Sequence, residues 1–330
     1  MYPELFEIPF IHVTVKSYGL MMVIGFLAAV SLIRRLSRSF TPDPQLITNA
    51  ALYSLIGGVI GARIFFVAHY FEKFRAYPIE VLYIWQGGLE LLGGVVVAIS
   101  VILFYLVYHK LPIRRYFDVI AVGLMLALAF GRIGCFLNGC CYGRPTTLPW
   151  GVRFPYNSFA YVSQINADLE RNRPDPQLML PREDYLGHVG EDGRWYPKPY
   201  KDLTDEQRTE VTQGPYRCLP VHPTQLYSCA LAVFWCVVLY LFWRRGQKAE
   251  ISGRGARLFT KPGCTFALMF IVYGLTRFGM EFLRDDNPFE FDGLTISQNL
   301  GLAMVTLGVV LMVVFQKTKA RAVAPAKRAR

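Results

Sequence analysis

Seven long apolar segments constrain this chain more than any other feature of its sequence. Each has about 20 residues, the length that an α-helix needs to cross the hydrocarbon core of a bilayer. They lie at residues 17–36, 47–68, 88–108, 116–138, 224–243, 263–283 and 295–316. Because lipid offers backbone N–H and C=O groups no hydrogen-bond partners, such segments must be helical. The sequence therefore predicts an all-α polytopic membrane protein with about seven transmembrane helices.

Composition agrees with this prediction. Of the 330 residues, 53% are hydrophobic and only 18% are charged. The net charge of +11 could indicate a nucleic-acid binder, but the basic residues lie between apolar segments and form no soluble basic face. We therefore expect no nucleic-acid partner. The first apolar segment lacks a basic start and a small-residue cleavage site, so we interpret it as a retained helix and not as a signal peptide.

The basic residues also predict the orientation of the helices. Lys and Arg are concentrated after the first, third, fifth and seventh apolar segments, and the other short loops carry few of them. Since basic loops stay in the cytoplasm, we expect the N-terminus outside and the C-terminus inside. The basic tail at residues 317–330 is then a cytoplasmic signal for orientation and for contact with anionic membrane lipids.

One long polar segment, residues 139–222, interrupts the apolar pattern and carries nearly half of the acidic residues. The alternation of the helices places it outside, and long loops escape the positive-inside rule. We expect a small external subdomain with few regular elements. The chain then divides into a first helical part at 1–138, this external subdomain, a second helical part at 223–316 and the tail.

Ionisable residues inside apolar segments are the strongest signs of function, because charges in a bilayer are costly. Tyr273, Arg277, Glu281 and Arg284 are spaced to share one face of the sixth helix. A structural ion pair between helices is one interpretation. Two arginines against one glutamate, however, leave a surplus positive charge that an anion could balance.

Arg132 is a second cation within an apolar segment. Its neighbours in AFGRIGCFLNG include three glycines, so backbone or ligand can approach closely. Arg63 follows Gly57 and Gly61, a small-residue pair suited to close helix contact, and its role could be structural or functional. Glu90 lies between two glycine pairs at the mouth of the third helix, where a satisfied polar residue is the alternative to a functional one.

The segment CLPVHPTQLYS opens the fifth helix. Pro223 suits a first helical turn, which leaves His222 just before the helix and Gln225 and Tyr227 just inside it. His222 could be a structural donor, or a functional residue on the same outer side as Arg132. Together these groups predict an outward-opening, arginine-lined cavity. Because a guanidinium group suits phosphate, the residues alone predict a membrane protein that binds a lipid phosphate.

The seven cysteines do not form a spaced metal-binding motif. Three lie in apolar segments, where packing as small hydrophobic residues is the expected role: Cys229, Cys236 and Cys264. Three others fall on the predicted outer side, where two of them could form a disulfide: Cys140, Cys141 and Cys218.

Residues 131–145, GRIGCFLNGCCYGRP, resemble the signature of the bacterial prolipoprotein diacylglyceryl transferases, Gly-Arg-x-Gly-Asn-Phe-x-Asn-Gly-Glu-x-x-Gly-Arg. Five further stretches are similar to the family's other blocks and occur in the family's order: YGLMMVIGF, GARIFF, WQGGLELLGG, HPTQLY and YGLTRFGMEFLR. Six ordered blocks make the resemblance specific. It covers nearly the whole chain except the long external segment, which looks enlarged.

This resemblance implies transfer of diacylglyceryl from phosphatidylglycerol to the lipobox cysteine of a prolipoprotein signal peptide, at the bacterial cytoplasmic (inner) membrane. A thioether forms and glycerol phosphate leaves, without a metal or organic cofactor. The reaction needs a thiolate and cationic stabilisation of the departing phosphate. We expect catalytic roles for Arg132, Arg277, Tyr273 and His222. The residues expected to bind substrate are Tyr18, Arg63, Asn138, Gly143, Arg144, Gln225, Tyr227, Glu281 and Arg284.

The chain departs from the family pattern at four positions: Leu92, Cys135, Cys140 and Ser228. Leu92 stands where many members carry a histidine that is proposed as the base, and leucine cannot accept a proton. His222 or Glu90 is therefore our hypothesis for a substitute base. The signature cysteines are expected to be packing or disulfide residues, since the attacking thiol belongs to the substrate.

Three alternative functions follow from the same sequence. A non-catalytic relative that binds lipid or precursor would share the blocks, and Leu92 keeps this hypothesis open. A membrane thiol-redox protein could use Cys135, Cys140 and Cys141, although the chain has no Cys-x-x-Cys pair there. An anion transporter would be expected to show paired repeats and broken helices, and the sequence shows no such symmetry.

Overall fold

A computed structural model shows a mainly helical chain and describes residues 4–8, 13–41, 43, 45–83, 87–190, 192–251, 259–289 and 293–318. Nearly all of the predicted basic tail lies outside these residues. The elements, in chain order, are β1 (Glu4–Ile8), β2 (Val13–Lys16), α1 (Ser17–Ser37), α2 (Gln45–His69), α3 (Phe71–Ala76), α4 (Leu91–Tyr108), α5 (Ile113–Asn138), α6 (Phe159–Ile165), α7 (Arg182–Tyr185), β3 (Leu186–Val189), β4 (Trp195–Pro197), α8 (Asp205–Thr212), α9 (Thr224–Ile251), α10 (Cys264–Glu281) and α11 (Ile296–Lys317).

Each predicted apolar segment contains one long helix. Within the described residues, six helices are long and apolar enough to cross a membrane: α1, α2, α4, α5, α9 and α11. The helix α10 is not among them, and it carries Arg277 and Glu281 in its 18 residues. The chain is therefore a helical, multi-pass membrane protein.

The helical prediction needs one correction, because the chain also contains two small antiparallel sheets. One pairs β1 with β2 and the other pairs β3 with β4. These strands have three to five residues each. Such short strands leave almost no period-2 pattern in a sequence, so the apolar helices dominated the prediction.

The chain forms two compact units. The first comprises the described parts of Met1–Leu27, Leu124–Leu241 and Ala267–Val313, and the second those of Ala28–Gly123, Phe242–Phe266 and Val314–Arg330. In the second unit, α2 packs against α4 at the small residues that the sequence singled out. A Cβ atom on Gly61 would lie 2.5 Å from the Val97 side chain and 2.9 Å from the carbonyl oxygen of Gly93. The predicted close helix contact at this position is confirmed.

Small residues also bring helices together in the first unit. Gly134 of α5 faces the backbone of Tyr18 in α1, where an added Cβ would lie 3.4 Å from the Tyr18 Cα. Gly274 of α10 crosses α11 more closely, since its Cβ would lie 2.5 Å from the carbonyl oxygen of Gly301. Close backbone approach at these glycines places the polar residues that follow them on the same helices within reach of neighbouring helices.

The polar segment at 139–222 has a hydrophobic core of its own. Its short elements α6, α7, β3, β4 and α8 pack around buried side chains that include Phe154, Tyr161, Ile165, Tyr185, Trp195 and Val221. Asn166 crosslinks this core: its Nδ2 donates to the Trp195 carbonyl, and its Oδ1 accepts from the Trp195 N–H. Cys218 is buried there too, and burial raises the pKa of its thiol to about 11.

We predict that Gly61→Ala destabilises the protein, because the added methyl group must displace the Val97 side chain or the backbone at Gly93. The expected cost is about 1–3 kcal/mol, seen as a lower thermal unfolding midpoint in detergent. Gly19→Ala is the matched control, because nothing lies within 4 Å of its added Cβ. It should leave the midpoint unchanged or raise it slightly. An unchanged midpoint for Gly61→Ala would contradict the close contact.

Candidate active site

Two of the predicted arginines face the same cavity in the first unit. This small cavity has a volume of about 20 Å³ and lies between α5, α9 and α10. Its lining residues are Met125, Leu128, Arg132, Ser228, Ala232, Trp235, Tyr273, Thr276, Arg277 and Met280. The apolar side chains form most of the wall, and the two guanidinium groups and Tyr273 provide its polar groups. The wall of the cavity thus combines apolar side chains with two cationic groups.

Arg277 is held by an ion pair and a hydrogen bond. Its Nη1 lies 3.3 Å from Oε2 of Glu281, one helical turn further along α10. Its Nη2 donates to the Ser297 hydroxyl at the start of α11. The Glu281 side chain is almost fully buried and also accepts from Asn287 Nδ2. These contacts fix the position of the Arg277 guanidinium at the cavity wall.

Arg284 corrects the prediction of one continuous polar stripe on the sixth helix. The helix α10 ends at Glu281, and Arg284 lies beyond it in an isolated β-bridge with Gly143. Its guanidinium forms a bidentate pair with Asp286, with donor–acceptor distances of 2.8 and 2.6 Å. Burial lowers the pKa of Arg284, but this pair with Asp286 outweighs burial and raises it.

The predicted surplus of positive charge is therefore in a different place. Glu281 and Asp286 together balance Arg277 and Arg284, so the expectation of two arginines against one glutamate is wrong. Among the residues that the structure describes, the Arg132 guanidinium has no ion pair and no hydrogen bond. It is half-buried and interacts unfavourably with the like charge of Arg277. An anion in the cavity would relieve this repulsion.

The signature segment folds into a tight turn after α5. Gly139 adopts a left-handed conformation with φ 80°, and its N–H donates to the Cys135 carbonyl, as at many helix C-termini. Cys141 is also left-handed with φ 61°, which is unusual for a residue with a side chain. The two turns fold the chain back over the end of α5.

This turn is held in place by the first residues of α9. The Thr224 hydroxyl donates to the Cys141 carbonyl at 2.6 Å, and Gln225 Nε2 donates to the Cys140 carbonyl at 2.7 Å. Gln225 is fully buried, so the structure places it beneath the signature turn, where it positions the backbone. Gly143 has no room for a side chain, because a Cβ would lie 2.6 Å from the His222 Cβ.

The turn brings three cysteine sulfurs together, which the sequence analysis missed. The Sγ atoms of Cys135, Cys140 and Cys141 all lie within 4.8 Å of one another, and none of the seven cysteines forms a disulfide. The spacing Cys-x4-Cys-Cys was visible in the sequence. The three sulfurs come together only because the backbone is left-handed at Gly139 and Cys141, and no sequence motif indicates these two turns.

His222 and Tyr227 form a second polar group next to the signature turn. The His222 Nδ1 lies 3.4 Å from the Tyr227 hydroxyl, which also accepts a hydrogen bond from Trp150 Nε1 at 2.7 Å. The backbone of His222 pairs with those of Gly143 and Arg144. The Arg144 side chain is exposed. The sequence analysis did not identify Trp150, which lies 77 residues before Tyr227.

Tyr18 and Asn138 lie close to the cysteines. The side chain of Tyr18 is 40% exposed and interacts electrostatically with Arg132 and Cys135. Asn138 contacts Cys140 and lines an open groove of about 590 Å³. The other groove residues are Lys16, Leu137, Gly139, Cys140, Cys141, Tyr142, Pro155, Tyr156, Asn157, Ser158, Phe159, Val162, Arg194, Tyr196 and Asp286.

Arg63 and Glu90 belong to the second unit and are occupied by other contacts. The Arg63 guanidinium is buried and donates to four backbone carbonyls, those of Glu80, Val81, Gly87 and Gly88. Glu90 precedes α4 and lies 3.7 Å from His69. These contacts favour the structural interpretation of Arg63 over the substrate-binding one.

The fold and the cavity define a class of protein first: a multi-pass membrane protein with an arginine-lined cavity among its helices. Comparison with known proteins then gives the family. A family model described as prolipoprotein diacylglyceryl transferase matches residues 3–314. The chain belongs to this family.

Individual relatives match over nearly the whole chain. A phosphatidylglycerol–prolipoprotein diacylglyceryl transferase from Burkholderia cenocepacia (strain HI2424) is 30% identical over 313 residues, which cover 91% of this chain and 90% of the relative. A protein of the same name from Clostridium tetani is 28% identical, with 94% and 96% covered. One from Synechococcus elongatus is 26% identical, with 94% and 86% covered.

We predict that Arg63→Lys lowers stability and leaves lipid recognition intact. Lysine keeps the charge but cannot donate to four carbonyls at once, so the expected cost is about 1–3 kcal/mol. The thermal unfolding midpoint should fall, and the KM for phosphatidylglycerol of the folded enzyme should stay the same. Arg75→Lys is the control, because Arg75 is exposed in the same unit. A raised KM with an unchanged midpoint would assign Arg63 to the lipid site instead.

Proposed function

We propose that this chain transfers the diacylglyceryl group of phosphatidylglycerol to the lipobox cysteine of a prolipoprotein signal peptide. A thioether forms, and glycerol phosphate leaves. Family membership and the names of the relatives support this proposal. The structural observation that carries it is the unpaired Arg132 guanidinium in a cavity that Arg277 also lines.

The arginines suit the charge change of this reaction. A thiolate attacks the glyceryl carbon that is bonded to the phosphate oxygen, and the carbon–oxygen bond breaks. The phosphate starts as a diester with one negative charge and leaves as a monoester that gains a second. Preorganised cations at that phosphate stabilise the transition state more than the bound lipid. Arg132 provides an unpaired bidentate donor, and Glu281 and Ser297 preorganise Arg277.

The other predicted residues take supporting roles in this proposal. Tyr273 lines the cavity beside Arg277 and contacts the lipid headgroup. Glu281 and Arg284 position the cation network. Tyr18 and Asn138 bind substrate around the signature turn. Gly143 and Gln225 shape that turn through the backbone.

His222 is the proposed proton acceptor, because it packs against the signature turn at Gly143. Tyr227 orients its ring by the contact at Nδ1. Glu90 is the weaker of the two candidates, because it contacts His69 and lies in the second unit. The backbone carbonyl of Arg144 accepts a hydrogen bond from the His222 N–H, and the Arg144 side chain is exposed. This side chain is available to the substrate phosphate or to lipid headgroups.

The proposed topology has seven spans, with α10 as the sixth, the N-terminus outside and the C-terminus in the cytoplasm. The distribution of basic residues supports this orientation. Residues 139–222 then form an external subdomain between the helical parts at 1–138 and 223–316. A lipobox cysteine is reached from outside, so the bacterial cytoplasmic membrane is the proposed location. The groove beside the signature turn is the proposed site for the precursor segment around that cysteine.

We predict that Arg132→Ala abolishes growth complementation in a strain depleted of its own transferase. With purified protein, phosphatidylglycerol vesicles and a lipobox peptide, kcat should fall about 100- to 1000-fold, as for loss of one transition-state donor. Arg217→Ala is the control, since Arg217 is an exposed arginine of the same unit. If the parent protein fails to complement and transfers no lipid, the chain is a non-catalytic relative.

We also predict that His222→Ala lowers kcat by about 100-fold or more without changing phosphatidylglycerol binding, because a general base acts only on the proton of the thiol. Lipid binding is measured separately with the inactive variant. Glu90→Ala should retain turnover. The opposite pattern, turnover kept without His222 and lost without Glu90, would transfer the role of base to Glu90.

A further inference from the structure

Three thiols converge beside the proposed reaction centre, and the reaction described so far does not use them. The Sγ atoms of Cys135, Cys140 and Cys141 lie within 4.8 Å of one another and are half-buried. In a tetrahedral zinc site, zinc–sulfur bonds of about 2.3 Å place sulfurs just under 4 Å apart. Small side-chain rotations would therefore bring these three sulfurs onto one metal ion.

The backbone that carries these thiols is already fixed. Left-handed turns at Gly139 and Cys141 fold the chain, and α9 holds the carbonyls of Cys140 and Cys141 through Gln225 and Thr224. A site that is formed before the metal binds loses little conformational entropy on binding. Soft thiolate ligands select Zn²⁺ among the common divalent ions.

We propose that Cys135, Cys140 and Cys141 bind a Zn²⁺ ion whose fourth position receives the thiol of the prolipoprotein cysteine. This inference rests on the proposed transferase function. Within the described residues, the cluster contains no fourth histidine, cysteine or carboxylate ligand. Three protein ligands with one open position are typical of catalytic zinc sites, whereas structural sites have four. Cys140 and Cys141 line the open groove, so a peptide thiol can reach that position.

The charges around the cluster suit such a complex. Zn²⁺ with three thiolates carries one negative charge, and a fourth thiolate adds another. Arg132 and Arg284 both interact electrostatically with Cys141 and offset this charge. Arg132 would thereby face the bound thiolate and the lipid phosphate together, which is the arrangement that an alkyl transfer between them requires.

The chemical step balances without any redox change. The peptide thiol would bind zinc and release its proton to His222. Its sulfur then forms a bond to the glyceryl carbon, and the bond from that carbon to the phosphate oxygen breaks. Glycerol phosphate leaves with that bonding pair of electrons. A metal-bound thiol is deprotonated at neutral pH, so the metal would favour the thiolate, and His222 would accept the released proton.

Metal content tests the site directly. The full-length protein is purified in detergent under reducing conditions, and its zinc is measured by inductively coupled plasma mass spectrometry. One zinc per chain is expected, and Cys135→Ser or Cys141→Ser should lower zinc affinity about 10-fold or more. Cys229→Ser is the matched control, since its thiol lies outside the cluster. An active parent enzyme with no zinc, or with a disulfide within the cluster, overturns the inference and leaves the transferase function standing.

The open position is tested with Co²⁺ in place of zinc. Cobalt bound by the cluster should show thiolate charge-transfer bands and the d–d bands of tetrahedral geometry. A lipobox peptide should shift the d–d bands, and the same peptide with serine in place of its cysteine should not. Identical spectra with both peptides would show a closed site and overturn the proposed thiol binding. Neither spectrum depends on turnover, so failure of the transferase function is recognised separately.

Discussion

Two hydrogen bonds from the start of α9 hold the turn after α5, and the geometry of the candidate site depends on them. Thr224 and Gln225 bind the carbonyls of Cys141 and Cys140, which are otherwise left without partners where the helix ends. With the turn held, Gly143 can pair with Arg284. These two hydrogen bonds between distant parts of the chain therefore align the cysteines, the groove and the cation network.

The arginines of the candidate site differ in whether a carboxylate neutralises them. Arg277 and Arg284 face Glu281 and Asp286, so burial of these four groups leaves little net charge. Each ion in such a network is costly to leave unpaired, which favours one arrangement of the side chains. Arg132 has no such partner among the described residues. That difference is the reason for proposing Arg132 as the residue that recognises the lipid phosphate.

Much of the helical architecture could be predicted from the sequence. The apolar segments predicted the seven long helices of the described residues, and Gly61 predicted the close packing of α2 on α4, because both signals are local. The end of α10 was not predicted: the apolar period continues through Phe282 and Leu283, whereas the chain turns at Glu281 to bring Arg284 to Gly143. Asp286 lies only two residues after Arg284 in the sequence. It was overlooked as the partner of Arg284 because the helix was assumed to continue through Arg284.

Contacts between distant segments were beyond the sequence. The partners of Arg63 are carbonyls 17 to 25 residues away, and a carbonyl is present at every position of a chain. The core of residues 139–222 likewise consists of single apolar side chains scattered through a polar segment. Neither leaves a periodic pattern, so only the folded chain shows that one arginine is structural and that the polar segment is compact.

The departures from the family pattern are best understood together. Leu92 removes a proton acceptor, and Cys135 and Cys140 add thiols at positions where the family signature has an amide and a carboxylate. Considered alone, Leu92 suggests a loss of catalysis, and Cys135 and Cys140 suggest residues that only pack. A thiol can be ionised either by a base, which must hold its proton, or by a metal ion, which makes the thiolate stable at neutral pH. A chain that gains a cluster of soft ligands can therefore tolerate leucine at position 92, because the metal favours the thiolate and His222 still lies beside the signature turn to accept the proton.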